Sequence, residues 1–407
     1  MKLRPYQKNA VNQIQSHNRG VVIIPTSGGK TLIMMEDVNM RLTQSKKLMT
    51  IVIVAPVIIL ATQLASQFNS YLTGKHQFFV THVHSGENGT TDSEKILAYN
   101  KLVHSMNKHS LIFTTYRSLP RILESGIDID VALFDEAHHS TKESNFVGVA
   151  ETSQVSKNTF FYTATPKLTD TSTSMCNSDV YGGTIVSIPA NKLVREGYIL
   201  PPKILTYQTD LTRTKENAHM VDAENVLSFL NNTELEFPKV LVAAPSTQII
   251  LDMMVETDLI SQLQARGYTI LHITSKFGPV INDEKVSREQ FFTRLSLLGN
   301  TLTAKFIVFH ISILGEGIDV PGFNSALLLR NLPFIELIQT VGRIIRMNKD
   351  DYTDIQNGLI SAGDFDNYRK PCGIISVPVS GTHGTIVAKK LQQVVNTVFV
   401  EGKILTV

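Results

Sequence analysis

The 407-residue chain has 43% hydrophobic and 18% charged residues and a formal net charge of +2, which excludes a disordered or fibrous chain and suits two or three globular domains. With so small a positive excess, any nucleic acid must be met by local basic clusters and backbone donors, because the body as a whole is not strongly basic. The two cysteines, Cys176 and Cys372, lie far apart and no C-x-x-C pair exists, which excludes a disulfide framework or a cysteine-rich zinc site and points to a reducing, cytosolic setting.

In chain order, the opening "MKLRPYQKNAV" lacks the apolar region of a secretory signal, so no export is expected. Short β-branched runs then alternate with helix-spaced apolar patterns. Val21–Ile24, Thr50–Val54, Phe78–Val83, Leu111–Thr114, Val131–Phe134 and Thr159–Tyr162 read as strands, with helices over Leu32–Leu42, Ile58–Tyr71 and Ser93–Met106. That alternation predicts a parallel sheet covered on both faces. The most apolar run, Met49–Ala61, is too short to span a bilayer and carries a central proline, so no membrane is expected as a partner.

Between about Leu168 and Pro202, Thr, Ser, Asn, Gly and Pro accumulate, which places an inter-domain hinge at residues 198–203. Strand patterns resume at Val240–Ala244, Ile270–Ile273, Phe306–Phe309 and Ala326–Leu329, with one helix expected over Gln248–Ala265, stopped by Gly267. From Met347 onward the chain carries the strand-like "CGIISVPV" and an amphipathic "GTIVAKKLQQVVNTVFV", expected to pack against the second domain.

Chemistry concentrates in a few stretches. "IPTSGGKT" (Ile24–Thr31) follows a strand and opens a helix: Gly28 and Gly29 let backbone approach a phosphate, Lys30 supplies charge and Thr31 a hydroxyl for magnesium. The full phosphate-loop pattern asks for glycine where Ile24 stands, so this stretch alone leaves a ligand-free turn open. Asp135 and Glu136 of "DEAHH" follow the apolar run Val131–Phe134, at the end of a strand where open α/β sheets bind ligands. One carboxylate suits magnesium and its neighbour suits activation of a water. In "QTVGRIIR" (Gln339–Arg346), Arg343 and Arg346 are three apart and would project from neighbouring positions of one helical face, able to reach a transferring phosphoryl group. In "GEGIDVPG" (Gly315–Gly322), Gly317 brings backbone near a ligand and Asp319 could accept a ribose hydroxyl. Thr163 and Thr165 of "TATP" put two hydroxyls at the sheet edge that carries the carboxylates.

Taken in order, these stretches resemble the motifs of superfamily 2 helicases and translocases. IPTSGGKT is similar to motif I, "VAPVIILATQL" to Ia, "TTYRSL" to Ib, DEAHH to II, TATP to III, "VLVAAPS" to IV, GEGIDVPG to V and QTVGRIIR to VI, covering about the first 346 residues. The resemblance implies an α/β fold of two RecA-like parallel-sheet domains with ATP in the cleft between them. It implies a first domain at 1–197, the hinge at 198–203, a second domain at 204–346 and a C-terminal extension at 347–407. By the same resemblance, Thr26, Ser27, Gly28, Gly29, Lys30 and Thr31 bind ATP, while Thr31 and Asp135 hold Mg2+. Glu136 activates water, with Gln339, Arg343 and Arg346 approaching the γ-phosphate; Thr163 and Thr165 couple nucleotide state to movement. "LRPYQ" resembles the adenine-reading Q-motif, with Gln7 on the base edge and Arg4 or Tyr6 nearby; Arg4 and Tyr6 equally suit a plain helix start with Pro5 in its first turn. Thr115, Arg117, Ser246, Ser275 and Lys276 would contact nucleic-acid phosphates.

The DEAHH box, the TSGGKT loop and the "LVREGYILPPKI" hinge look closer to DNA-acting members than to DEAD-box RNA helicases: the XPB-like and restriction-motor helicases and phage UvsW-like enzymes. The expectation is therefore a monomeric phage-type helicase of the host cytoplasm, acting on single-stranded, forked or branched DNA with replication or recombination partners. A double-strand translocase or RNA helicase of the same superfamily is the rival enzyme; a binding module with a vestigial ATP site is the rival of another class.

Overall fold

The computed structural model of the protein describes residues 3–209, 212–274, 276–311, 322–379 and 381–404. Contacts divide the chain into two compact units, one running to Ile188 and taking in Ile404, the other Pro189–Lys403.

In the first unit, seven strands form one sheet: β1 (Arg19–Ile23), β2 (Thr50–Ala55), β3 (Phe78–Val83), β4 (His109–Thr115), β5 (Val131–Phe134), β6 (Asn158–Thr163) and β7 (Thr184–Ser187), in the order β3-β4-β2-β5-β6-β1-β7. Every pairing is parallel. The central strands β2 and β5 are buried throughout, as strands covered on both faces must be, and this is why they read as unbroken apolar runs. Helices Lys30–Gln44, Ile58–Leu72 and Ser93–Ser105 lie where the periodicity predicts them, within two residues at each end. The order places β5, β6 and β1 side by side, with Phe134 beside Phe161 and Ile23 beside Thr163. The loops that leave their carboxyl ends therefore meet: IPTSGGKT after β1, DEAHH after β5, TATP after β6.

The second unit holds β8 (Pro202–Gln208), β9 (Lys239–Ala243), β10 (Thr269–Thr274), β11 (Gly278–Ile281), β12 (Glu284–Lys285), β13 (Phe306–His310), β14 (Ser325–Leu328) and β15 (Gly373–Val379), in the order β12-β11-β10-β13-β9-β14-β15-β8. Six strands are parallel, and the β11–β12 hairpin adds an antiparallel edge. Its core gathers Val240, Val242, Ile307, Phe309 and Leu327 from the strands against Val226, Ile250 and Leu263 from the helices.

Three placements differ from the sequence reading. The segment expected as a hinge lies inside the second unit: Leu200 N–H donates to Ile345 O at 2.9 Å and β8 begins at Pro202. The stretch after Met347, expected to pack against the second domain, supplies β15, an interior strand between β14 and β8. Gly373 opens it because a Cβ there would lie 2.6 Å from Ile344 O. The helix expected over Gln248–Ala265 is two helices, Thr247–Val255 and Leu259–Ala265. Thr257 breaks it: its hydroxyl donates to Met253 O and accepts Leu259 N–H, offering the backbone an alternative to the helix ladder.

Candidate nucleotide site

The loop after β1 is shaped by backbone that ordinary residues resist. Ser27 (φ 66°) and Gly29 (φ 79°) both take left-handed conformations, and Gly28 N–H donates to Pro25 O at 2.9 Å. Gly29 is the N-cap of the helix Lys30–Gln44 and gives it no side-chain cap. The first N–H groups of a 15-residue helix are thus left for an anion, which the helix dipole also favours. Thr26 Oγ1 is buried with no hydrogen-bond partner, a polar atom that suits a ligand. Thr31 is half-buried in the first helical turn.

The N-terminal helix Pro5–Gln15 leans on this loop. Tyr6 donates its hydroxyl to Gly28 O at 2.7 Å. Gln7 is buried and caps its own helix, accepting Arg4 N–H at 3.0 Å. Its Nε2 lies so near Gly29 that a Cβ on Gly29 would come within 2.3 Å of it. Arg4 is half-buried at the N-cap.

Across the loop, Lys30 Nζ donates to Glu136 Oε1 at 3.0 Å, and only 10% and 9% of the two side chains are exposed. Glu136 takes a left-handed backbone (φ 45°, ψ 53°) at the turn into the 3-10 segment Ala137–Thr141. Such strain on a charged residue is common at functional sites. Burial pushes the Asp135 carboxyl well above the ordinary carboxylate range, and the Glu136 charge adds to that push. Burial also pushes Glu136 upward, but Lys30, with His138 and His139, outweighs it and holds Glu136 below its ordinary value. Two adjacent buried carboxylates are thereby driven apart in proton affinity, as acid–base and metal sites require.

His138 joins this pair to β6. Its Nδ1 lies 3.5 Å from Glu136 Oε2, 3.2 Å from Thr163 Oγ1 and 3.5 Å from Thr165 Oγ1. Burial keeps the imidazole neutral by lowering its pKa, so it can donate or accept along this path. The His139 ring lies tilted against it, with centroids 4.5 Å apart, and is pushed down to about 3 by burial and by His138. Tyr116, after β4, donates to Asp135 O at 2.9 Å. His138 and Tyr116 lie inside DEAHH and TTYRSL, and the signal that marks them in the sequence is a polar residue shortly after a buried strand.

The second unit carries its own set. Gln339 and Arg343 are buried on the helix Phe334–Ile344, one turn apart. The helix ends at Ile344 with Ile345 as its cap, and Arg346 lies beyond it, half-buried, its guanidinium lowered to about 10 by burial. Beyond the helix end, Ile345 O accepts Leu200 N–H and Arg346 O accepts from Lys370 Nζ. His310, at the end of β13, is fully enclosed with neither ring nitrogen partnered; burial, Arg343 and Arg330 push it down to about 3. Gly317 and Asp319 lie outside the described residues, as does Ser275.

Of the residues expected at nucleic-acid phosphates, Arg117 and Lys276 are exposed. Thr115 is buried with its hydroxyl donated to Ser118 Oγ at 3.2 Å, so its side chain is not presented to a partner. Ser246 caps the helix Thr247–Val255, accepting Ile249 N–H at 3.2 Å. Among the described residues no helix is long and apolar enough to cross a membrane, and no cluster of three or more His, Cys, Asp or Glu side chains is arranged for a metal. Thr31 and Asp135 offer two hard oxygen ligands, the small protein contribution that Mg2+ takes when it keeps waters and phosphate oxygens.

Residues 1–168 match the family described as type III restriction enzyme, res subunit. No curated protein matches the chain. Among solved structures, the ATP-dependent type ISP restriction-modification enzyme LlaBIII bound to DNA aligns with TM-score 0.73 at 17% identity, covering 98% of this chain and 30% of that one. Mss116p bound to ssRNA and AMP-PNP aligns with TM-score 0.58 at 14% identity, over 97% of this chain and 77% of that one. Dbp5 of S. cerevisiae bound to RNA and ADP BeF3 aligns with TM-score 0.59 at 13% identity, over 100% and 90%. The chain thus spans about 30% of the length of the type ISP enzyme. The fold is that of tandem RecA-like units, as expected. The family match spans the phosphate loop and the Asp-Glu pair.

Proposed function

We propose that this chain is an ATP-driven DNA motor of superfamily 2, a helicase or translocase of the restriction-motor and UvsW-like kind, acting on forked or branched DNA. The observation that carries the ATPase reading is the buried Lys30–Glu136 pair, with Nζ 3.0 Å from Oε1, at the mouth of an uncapped helix N-terminus.

When ATP enters, its β- and γ-phosphates take the N–H groups of the loop 26–31, and Lys30 turns from Glu136 to phosphate oxygens. That leaves the Glu136 carboxylate free to accept a proton from the attacking water, its affinity for that proton raised as Lys30 departs. Mg2+, held by Thr31 and Asp135, would offset charge on the phosphates. Gln7 stands over the loop to read the adenine edge, with Arg4 beside it. Gln339, Arg343 and Arg346 serve the γ-phosphate, Gly317 and Asp319 the nucleotide's sugar side. Loss of the γ-phosphate lets Lys30 return to Glu136, and His138 passes that change to Thr163 and Thr165, which leave β6 toward the rest of the chain. Arg117 and Lys276, with the backbone near Thr115, Ser246 and Ser275, are assigned to nucleic-acid phosphates.

DNA is preferred because the family description and the type ISP complex both belong to DNA restriction enzymes. An RNA helicase is the second reading, since the RNA-bound Dbp5 structure is covered over 90% of its length. ATP hydrolysis and nucleotide binding by Lys30→Ala and Glu136→Gln test the site. Both should lose turnover while Glu136→Gln keeps ATP affinity; wild-type hydrolysis by both would sink the reading.

A further inference from the structure

Residues 365–372 carry none of the motifs described above, yet one side chain from this stretch reaches two of them. Lys370 Nζ donates to Phe323 O at 2.6 Å and to Arg346 O at 2.8 Å. Phe323 stands directly after the GEGIDVPG stretch, and Arg346 ends QTVGRIIR. The base of Lys370 is fixed as firmly as its tip. The carboxylate of Asp351, fully buried on the helix Lys349–Gln356, accepts Arg369 N–H at 3.0 Å, Lys370 N–H at 3.3 Å and the Arg369 guanidinium at 3.1 Å.

We propose that Lys370 is a positioning residue for Arg346: its amine clamps the carbonyl of Arg346 to that of Phe323, fixing the arginine beyond the helix end that would otherwise orient it. The proposal rests on the reading of Arg346 as a γ-phosphate ligand.

Arg346 lies beyond the end of the helix Phe334–Ile344, where a continuing helix no longer supplies an N–H partner for its carbonyl. Leu200 N–H on Ile345 O anchors the residue before it, and Lys370 anchors Arg346 itself. The groups that face the amine are Arg346, Lys239, Cys372 and Asp351; Lys239 spends its own ammonium on Gly299 O at 3.0 Å and Thr301 O at 2.7 Å. A buried amine among two like charges is destabilising relative to a hydrocarbon of similar length, so its contribution lies in holding two carbonyls at a fixed separation. Burial first, then Arg346 and Lys239, lower it to about 7, against Cys372 and Asp351. Charged or neutral, it keeps enough N–H bonds for both carbonyls.

The test is steady-state ATP hydrolysis by the full chain, normalised to nucleotide-binding sites, for wild type, Lys370→Met, Lys370→Gln, Arg346→Ala and the Arg346→Ala/Lys370→Met double variant. Lys370→Met should lower kcat by about tenfold or more, as displaced catalytic groups do, with KM for ATP unchanged. Lys370→Gln, which keeps one amide donor, should recover part of the loss. In the Arg346→Ala background, Lys370→Met should cost nothing further. Wild-type kcat in Lys370→Met, or losses that multiply in the double variant, overturn the proposal. If Lys370→Met does not fold, Lys370→Gln decides: a reduced kcat at unchanged KM supports the clamp and a wild-type kcat overturns it. A wild type without ATPase activity defeats the functional reading itself, and a normal Arg346→Ala defeats the role of Arg346 and the clamp with it. A normal Lys370→Met beside an inactive Arg346→Ala defeats the clamp alone.

Discussion

Replacing Lys30 by Met should destabilise the nucleotide-free protein as well as abolish turnover. The ion pair to Glu136 is 3.0 Å long with about a tenth of each side chain exposed. At an effective dielectric of about 20 the gross attraction at that distance is about 5.5 kcal/mol. Removing one partner of such a buried pair typically costs about 3–5 kcal/mol, because the other charge is left uncompensated. For a unit of this size each kcal/mol lowers the melting temperature by roughly 2–4 °C, so a drop of about 6–20 °C is expected at pH 7.5 without nucleotide. The pH dependence gives the cause. In the wild type Glu136 sits below its ordinary value, so its stabilisation is present above about 4.5 and lost as pH falls through the depressed value. In Lys30→Met, burial acts on Glu136 without Lys30 to oppose it, so Glu136 rises above its ordinary value and its penalty fades as pH falls through that raised value. The gap between the two proteins should therefore narrow from pH 7.5 to pH 5, and Glu136→Gln in the Lys30→Met background should restore much of the loss. Thermal melts of the three proteins, with hydrogen exchange at β1 and β5, measure this. Equal melting at pH 7.5, or a gap that pH does not change, would refute the reasoning.

Gly29→Ala should weaken ATP binding, seen in titrations with a fluorescent nucleotide. The new Cβ would be held at φ 79°, a cost of roughly 1–2 kcal/mol, and would lie 2.3 Å from Gln7 Nε2, displacing the residue assigned to adenine. Lys370 gives a stability signature independent of catalysis. Its folded value near 7 lies below the ordinary 10.5, so between those limits the unfolded chain holds a proton that the native chain lacks, and stability rises with pH. Denaturant midpoints at pH 7 and pH 9 should show a larger rise for the wild type than for Lys370→Met, and equal rises would contradict the burial of that amine. Glu136→Gln should have a higher melting temperature than Lys30→Met, since it removes a charge that repels Asp135 and leaves Lys30 with the Asp135 charge still opposite it; the reverse order would contradict the pairing.

The first unit was largely legible because its signals are local. Apolar runs such as Val131–Phe134 become central strands, and the loops that follow them carry residue types with few other uses. Parallel order then brings IPTSGGKT, DEAHH and TATP together, as the sequence suggested. What the sequence hid is non-local. No period in "CGIISVPV" says that it inserts between β14 and β8, 45 residues past the end of β14. Arg343 and Arg346 looked like residues of one helix because spacing cannot show that the helix ends between them, where Leu200 and Lys370 take the next two carbonyls. Thr115 looked like a surface hydroxyl, but it ends the interior strand β4 beside Ala55 of β2, and its hydroxyl turns to Ser118.

The central claim is that nucleic acid drives ATP turnover at the site of Lys30 and Glu136. It is tested most directly by steady-state ATP hydrolysis with single-stranded, duplex and branched DNA and with RNA, at one salt concentration, for wild type and Glu136→Gln. The account predicts DNA-stimulated hydrolysis, greatest with branched substrates, that Glu136→Gln abolishes. Stimulation by RNA alone would contradict the DNA assignment, and hydrolysis unaffected by any nucleic acid would contradict the motor itself.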